Sequence, residues 1–273
     1  MDLQYRVTWW TYALVLIAAL VILTPFAWMV ATGLMTTGQT LLVPPAVLPA
    51  PVTLDGAREV LARIPFGTML WNTILVSLAR AAITLVICSM AAYALAVIKV
   101  PGSRAILVMV LALLMVPGDI FIIPNFSIIA SLRLTDTLAA LVIPNVFDVF
   151  GVFLLYQFFR GVPRELIEAA RMDGAEHWRI LATIVVPVAR SGIISLAILS
   201  VLAEWKELLW PIVVNRSADK FTLGPGLALL RGEFITDWNV VMAAGVMAAL
   251  PMILIFLLLQ KQFIASLARS GLK

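Results

Sequence analysis

Charge is scarce in this sequence. Only 12% of its 273 residues are charged, whereas 63% are hydrophobic, and the mean hydropathy is +1.06. A water-soluble domain of this length needs far more polar surface than such a composition supplies. The net charge of +4 does not indicate nucleic-acid binding, because the basic residues are dispersed between apolar stretches. The composition therefore predicts a single membrane domain that covers residues 1–273.

Residues that carry chemistry are scarce as well. The one cysteine, Cys88, excludes an intrachain disulfide, and the one histidine, His177, has no cysteine or second histidine with which to bind zinc. The phosphate-cradling pattern G-x-x-x-x-G-K-[ST] does not occur. We therefore expect no catalytic residue, no metal site and no cofactor bound by this chain. It is predicted not to be an enzyme and not to hydrolyse ATP by itself.

Long apolar stretches are what the sequence has in abundance. A helix that crosses the hydrocarbon core needs about 20 apolar residues. Six stretches meet this length: 11–35, 68–97, 104–124, 138–160, 191–214 and 239–261. The fold class is therefore all-α, a polytopic membrane protein with six transmembrane helices, in which the first is expected to be an uncleaved signal-anchor. Prolines inside these stretches, namely Pro25, Pro117, Pro124 and Pro144, are expected to kink their helices.

The basic residues predict the orientation. With both termini in the cytoplasm, eleven of the 19 Lys and Arg residues lie on the cytoplasmic side and six on the opposite side. Cytoplasmic loops of membrane proteins carry the excess of positive charge. We therefore expect a multi-pass protein of the cytoplasmic (inner) membrane, in which residues 161–190 are the largest cytoplasmic connection.

That connection contains the polar stretch "EAARMDGAEHWRILATIVVP", residues 168–187. Pro163 favours a helix start, and Gly174 is able to take the left-handed conformation that ends a helix. A second helix is predicted from about Ala175 towards Pro187. Such an amphipathic helix–turn–helix cannot bury itself, and its small residues let another surface approach closely, so we interpret it as a docking element.

The spacing of this stretch resembles the EAA loop of ABC importer permeases: Glu168-Ala169-Ala170, three residues, Gly174, nine residues, then Ile184-Val185-Val186-Pro187. Val186 stands where the family usually has Leu. In that family the loop is the coupling helix, which inserts into a groove of the cytoplasmic ATPase. The resemblance implies that Glu168 pairs with a basic residue of the ATPase. It also implies a coupling surface of Glu168, Ala169, Ala170, Met172, Asp173, Gly174 and Ala175.

Further fragments resemble the maltose-type carbohydrate permeases, among them "MVPGDIFIIPNF" at 115–126 and "EWKELLWP" at 204–211. The chain departs from the family where Lys206 replaces a usual Asn and Arg133 a usual Gly. The resemblance implies a type I importer permease that forms half of the translocation pathway. Its implied partners are a homologous second permease, two ATPase subunits that carry ATP and Mg, and an extracytoplasmic solute-binding protein. The implied substrate is a sugar, amino sugar, sugar alcohol or glycerol-phosphate compound.

A few ionisable residues lie at membrane depth, where a charge is costly and needs a partner or water. They are Arg80, Asp148, Glu204, Lys206 and Glu207. One interpretation is ion pairing of Arg80 with Asp148 or with a glutamate of the fifth span. The other is a hydrated translocation path, in which Glu204, Trp205, Glu207 and Trp210 offer acceptors and aromatic faces to a sugar.

Two other classes of protein are alternatives to the importer permease. A self-contained secondary transporter or channel needs a coupling-ion site and usually inverted repeats, and neither is found in the sequence. An intramembrane enzyme needs a nucleophile–base pair or a metal cluster at matching depth, which is also not found. Neither class accounts for the spacing of the EAA loop.

Overall fold

The computed structural model describes residues 9–44, 46–232 and 236–270, with the backbone alone for 258–270. The described residues form helices and connections and no strand, in agreement with the predicted all-α class. The predicted placement of the two termini lies outside the described residues. The α-helices are α1 (Trp9–Gly33), α2 (Thr37–Thr40), α3 (Asp55–Arg63), α4 (Phe66–Tyr93), α5 (Ser103–Leu113), α6 (Ile122–Ser131), α7 (Leu138–Val142), α8 (Val149–Arg160), α9 (Arg164–Met172), α10 (His177–Ile180), α11 (Val186–Val188), α12 (Arg190–Trp205), α13 (Leu209–Val214), α14 (Leu223–Ala228) and α15 (Trp238–Ser270).

Shorter helical segments connect several of these helices. Two are π-helical, Ala94–Ile98 directly after α4 and Leu181–Val185 between α10 and α11. Three are 3₁₀-helical, Gly118–Phe121, Ile143–Asn145 and Ala218–Lys220.

Three helices are individually long and apolar enough to cross a membrane: Trp9–Gly33, Phe66–Ile98 and Trp238–Leu257. Three further crossings are bent pairs of helices: Ser103–Leu113 with Gly118–Ser131, Leu138–Asn145 with Val149–Arg160, and His177–Val188 with Arg190–Trp205. The bends are 92°, 53° and 85°. Counted with each pair as one span by length and composition, the described chain has six candidate spans, the number that the sequence predicts, although the last pair begins inside the predicted cytoplasmic connection 161–190.

Two of the predicted prolines lie at these bends. Pro117 immediately precedes the 3₁₀ turn before α6, and Pro144 lies inside the 3₁₀ turn after α7. Proline removes a backbone donor and clashes with the preceding turn, so a helix breaks there. Pro124 instead lies in the first turn of α6 and Pro25 inside α1, and neither helix ends at its proline.

The predicted span 191–214 is not continuous. Helix α12 ends at Trp205, and α13 begins at Leu209. One oxygen of the Glu207 carboxylate accepts the backbone N–H groups of Leu209 and Trp210, at 3.2 and 3.3 Å. Pro211 lies in the first turn of α13, where its missing N–H has no helical partner to lose. The stretch "ELLWP" therefore begins a new helix rather than extending α12.

The described chain divides into two compact units, of which the first comprises the residues up to Phe66 together with Gly226–Ile253. Its helices pack closely at glycine. A Cβ on Gly33 would lie 3.0 Å from the Ala243 nitrogen, and a Cβ on Gly56 would lie 2.8 Å from the Asn239 carbonyl oxygen. The helix predicted within "LDGAREVLARI" is α3, and its Arg63 pairs with Asp237 at 2.7 Å.

The second unit comprises Gly67–Pro225 and Leu254–Lys273. Its larger core brings the end of α4 together with α8, α9, α10 and α12. Glycine again sets the packing distance, since a Cβ on Gly192 of α12 would lie 2.5 Å from the Phe158 ring. A second core cluster gathers residues of α4, α6, α7 and α13, including Val76 and Trp210.

Among the residues that the structure describes, three that are not glycine have a left-handed backbone: Lys99, Arg133 and Asp136, with φ of 56°, 55° and 61°. This region is disfavoured for residues that have a Cβ. Glycine, the residue that the resemblance leads us to expect at Arg133, is the residue that this conformation favours.

Candidate functional site

The EAA stretch folds as a helix–turn–helix made of α9 and α10. Helix α9 ends where Gly174 takes φ +77°, and the backbone N–H of Ala175 donates to the Ala170 carbonyl at 2.9 Å. A Cβ on Gly174 would meet no atom within 4 Å, so the left-handed backbone and not crowding selects glycine here. The predicted left-handed turn at Gly174 is therefore confirmed.

One face of this loop is held by the bundle. Ile167, Ile180 and Val185 are buried in the larger core, with Tyr93 of α4 and Phe159 of α8. Buried apolar side chains fix the loop rigidly, because their exposure would lose the favourable transfer free energy.

A hydrogen bond adds to this attachment. The hydroxyl of Tyr93 lies 3.1 Å from Nδ1 of His177 at the start of α10. The His177 side chain is exposed, and its contact with Tyr93 is not predicted from the sequence. A tyrosine at the end of a predicted span, facing a polar loop, is the signal that points to such a bond.

The opposite face of the loop is open. Among the predicted coupling residues, Glu168, Ala169, Asp173 and Gly174 are exposed, Ala170 and Ala175 are half-buried, and Met172 is 88% exposed. Trp178, which is not among the predicted residues, is 68% exposed, and its indole donates to the Glu176 carboxylate at 2.8 Å. A large exposed methionine and tryptophan on a rigid loop form a knob suited to docking into a groove.

The loop is also linked to the fifth span. The π-helical segment Leu181–Val185 precedes Pro187, which has no N–H to donate to the Thr183 carbonyl. The Thr183 hydroxyl itself donates to the Arg179 carbonyl at 2.7 Å. After α11 the chain turns by 85° into α12. The loop is therefore continuous along the chain with α12, the helix that carries Glu204.

Two of the ionisable residues at membrane depth, Arg80 and Glu204, form an ion pair. A guanidinium nitrogen of Arg80 lies 2.6 Å from the Glu204 carboxylate, and Nε of Arg80 donates to the Asn145 carbonyl at 3.1 Å. The Glu204 side chain is 1% exposed and that of Arg80 16%. Of the partners that the sequence offers for Arg80, the structure selects Glu204. The pair connects α4, the bend after α7 and the end of α12.

The remaining candidate pore residues have other contacts. Asp148 caps α8, since its carboxylate accepts the Gly151 N–H at 2.9 Å. Trp210 is buried, and its indole donates to the Ala140 carbonyl at 3.0 Å. Glu207 caps α13 but remains half-buried, as does Trp205. The structure therefore brings Arg80 and Glu204 together, gives Asp148 and Trp210 local structural partners, and leaves parts of Trp205 and Glu207 accessible.

A carboxylate outside the spans, that of Asp136, is stabilised mainly by hydrogen bonds. Asp136 accepts a hydrogen bond from the Ser217 hydroxyl, and its other oxygen accepts the backbone N–H groups of Arg216 and Ser217, both at 3.0 Å. These hydrogen bonds, first of all the one from the Ser217 hydroxyl, lower the pKa of Asp136 to about 2. The contact joins the connection before α7 to the connection after α13.

A helical membrane bundle with broken spans and an exposed helix–glycine–helix loop has the architecture of a transport permease. Residues 86–269 match the family described as binding-protein-dependent transport system inner membrane component, and the chain belongs to this family. It is a permease subunit of an ABC importer. Permeases of this kind act with an ATPase and a solute-binding protein and are not enzymes themselves.

Individual relatives match over most of their length. The arabinooligosaccharide transport permease AraQ of Halalkalibacterium halodurans is 34% identical over 244 residues, which cover 89% of this chain and 86% of AraQ. The sn-glycerol-3-phosphate transport permease UgpE of Brucella suis is 30% identical over 267 residues, with 94% and 95% covered. A solved bacterial ABC transporter involved in the import of the acidic polysaccharide alginate matches with a TM-score of 0.81 at 23% identity, covering 96% of this chain and 99% of that chain.

Proposed function

We propose that this chain is one of two homologous permease subunits that together form the translocation pathway of an ABC importer in the cytoplasmic membrane. Its EAA loop docks on one of two ATPase subunits, where ATP and Mg are bound. A solute-binding protein delivers the substrate from the opposite side. The excess of basic residues on the side of the loop supports this orientation, with both termini in the cytoplasm.

The observation that carries this proposal is the two-sided character of the loop. Its inner face is packed in the core through Ile167, Ile180 and Val185, and its outer face exposes Glu168 and Met172. A loop that served only as a connection has no need of both features. A rigid knob transmits a displacement of its partner to α12, whereas a flexible loop would absorb it.

For the substrate, we propose a carbohydrate or a related polyol compound. The names of the relatives support this class, since they include permeases for arabinooligosaccharides, glycerol phosphate and lactose. The half-buried Trp205 and Glu207, at the break between α12 and α13, are the residues of the proposed pore that a sugar ring and its hydroxyls can contact. The Arg80–Glu204 pair would hold these broken spans in one of the two conformations between which the transporter alternates.

The experiment is co-purification of the tagged chain with the products of its neighbouring genes, followed by ATPase and uptake assays in vesicles. Wild type should recover an ATPase and a second permease. Glu168→Ala should lose or uncouple the ATPase, while Glu165→Ala, an exposed glutamate one turn earlier on α9, should not.

A homo-oligomer that forms without an ATPase and is indifferent to Glu168→Ala would contradict the proposal. It would reopen the alternative of a self-contained secondary transporter or channel. A complex that assembles normally but transports no carbohydrate would contradict the substrate class alone.

A further inference from the structure

A cleft of about 890 Å³ lies against the EAA loop, and neither the sequence nor the family relationship assigns it a role. Its walls are the π-helical end of α4, α5, the C-terminal half of α8 and one face of α9. The residues of α9 that line the cleft are Arg164, Ile167, Glu168 and Arg171, so the cleft borders both the buried Ile167 and the exposed Glu168. The cleft therefore adjoins the coupling loop directly.

The mouth of the cleft is strongly basic. Five cationic side chains line it, Lys99, Arg104, Arg160, Arg164 and Arg171, against the single carboxylate of Glu168. All five are exposed, and none forms a salt bridge within the described part of the chain. Cationic side chains that line one cleft can together donate several hydrogen bonds to a phosphate group.

Part of the cleft wall is apolar. Leu107, Val108 and Leu111 of α5 lie on it, together with Phe153 of α8. Because a helix rises about 1.5 Å per residue, Leu111 lies about 10 Å further along α5 than Arg104. The lining thus changes from cationic to aliphatic along the direction in which α5 enters the bundle, which is the polarity of a phospholipid with its headgroup at the mouth.

The backbone supports a role for Lys99 at this mouth. Lys99 ends the π-helical segment with φ 56°, a conformation for which glycine is favoured. The backbone conformation at this position does not favour lysine, so we attribute the lysine to a function of its side chain, which lines the cleft.

We propose that this cleft is a binding site for an anionic phospholipid, with the phosphate held by Lys99, Arg104 and Arg160 and the acyl chains lying against α5. Basic pockets between transmembrane helices bind anionic headgroups in this manner. Because Arg164 and Arg171 extend from the coupling helix into the same cleft, a bound lipid would brace α9 against the bundle. Coupling would then depend on the anionic lipid content of the membrane.

The test is native mass spectrometry of the purified full chain, mixed with equal amounts of phosphatidylglycerol and phosphatidylcholine of the same acyl length. Wild type should retain phosphatidylglycerol about tenfold in preference. The variant Lys99→Gly, Arg104→Gln, Arg160→Gln should lose most of this preference. The control Arg133→Gly, Arg216→Gln, Arg231→Gln should keep it, since it removes three exposed cations outside the cleft, one of them also left-handed.

A single pair of changes separates binding from folding. Lys99→Gly and Arg133→Gly each relieve a left-handed backbone, so both should leave the thermal midpoint equal or higher. Only Lys99→Gly should weaken retention of phosphatidylglycerol.

Several results would overturn the proposal. One is a wild type that binds both lipids equally. Another is a control variant whose preference for phosphatidylglycerol falls as much as that of the cleft variant. Displacement of phosphatidylglycerol by millimolar inorganic phosphate would instead mean a site for a free anion. Release of the lipid when the ATPase subunits assemble would mean that an acidic protein surface occupies the cleft. None of these results bears on whether the chain transports a carbohydrate.

Discussion

The buried ion pair and the basic cleft differ in whether their cationic side chains have a carboxylate partner within the protein. Arg80, almost enclosed among α4, α7 and α12, has a carboxylate at 2.6 Å and a backbone carbonyl at 3.1 Å. The five cations of the cleft are exposed and have no carboxylate within ion-pair distance in the described chain. A buried charge must be compensated inside the molecule, whereas an exposed one is available to a molecule outside it. The ion pair therefore stabilises the fold, whereas the cations of the cleft are available to bind a molecule from outside.

The largest effect is expected from separating the pair. Arg80→Leu leaves the Glu204 carboxylate buried without compensation, which should cost about 3–5 kcal/mol of stability. The double variant Arg80→Leu, Glu204→Leu should recover most of the loss, because it leaves no isolated charge. Thermal unfolding in detergent measures both. Equal losses in the single and the double variant would mean that the ion pair does not carry the effect.

The second largest effect is expected at the turn of the EAA loop. Gly174→Ala and Gly102→Ala place a Cβ in left-handed backbone at φ +77° and +76°, with open space around each. Each should therefore cost about 1–2 kcal/mol. Only Gly174→Ala should also lower the uptake supported per ATP hydrolysed, since Gly102 lies outside the EAA loop. If both variants transport equally well, the shape of the turn is not what couples the subunits.

A smaller effect is expected where the loop is attached to α4. Tyr93→Phe removes the hydroxyl that contacts His177 and keeps the ring in the core. The loss should be about 1 kcal/mol, the usual net contribution of such a hydrogen bond. Hydrogen exchange of α9 and α10 should accelerate while that of α6 does not change. Unchanged exchange in α9 and α10 would contradict the anchoring role of Tyr93.

The smallest effect concerns Asp136, whose carboxylate is stabilised mainly by the Ser217 hydroxyl and by backbone N–H groups. The folded-state pKa of Asp136 is lowered to about 2, so its contribution to stability is present above its ordinary value near 3.8 and is lost as the pH falls towards 2. The protection factors of the Arg216 and Ser217 amides, which are corrected for the intrinsic pH dependence of exchange, should fall over that interval. In Asp136→Asn the protection factors should be lower already at neutral pH and should not change between pH 4 and 2. A wild type with no change between pH 4 and 2 would contradict the assignment.

Local signals in the sequence predict local structure well. Apolar length predicts six crossings, Pro117 and Pro144 predict two of the bends, and Gly174 predicts the left-handed turn. The break between α12 and α13 was not predicted, although its signals are present. Glu207 precedes two backbone N–H groups that its side chain caps, and Pro211 occupies the first turn of the following helix.

Long-range contacts are beyond the sequence pattern alone. Three carboxylates, those of Asp148, Glu204 and Glu207, were compatible with Arg80, because spacing along a helix does not specify which helix packs against it. Lys99, Arg104 and Arg160 contributed to the predicted orientation as separate charges. Only the packing of α5 against α8 brings them to one cleft. Whether Trp205 and Glu207 contact a sugar stays a prediction.

The central claim is that the outer face of the EAA loop contacts an ATPase. It is tested most directly by a single thiol at its tip, because the native Cys88 is buried. Met172→Cys, at a position 88% exposed, is alkylated with benzophenone maleimide and should, on illumination, form a crosslink with the ATPase subunit of the co-purified complex. Met115→Cys, at a position 87% exposed between α5 and α6, should not. An intact complex in which Met172→Cys gives no crosslink, or no more than Met115→Cys does, would contradict the account.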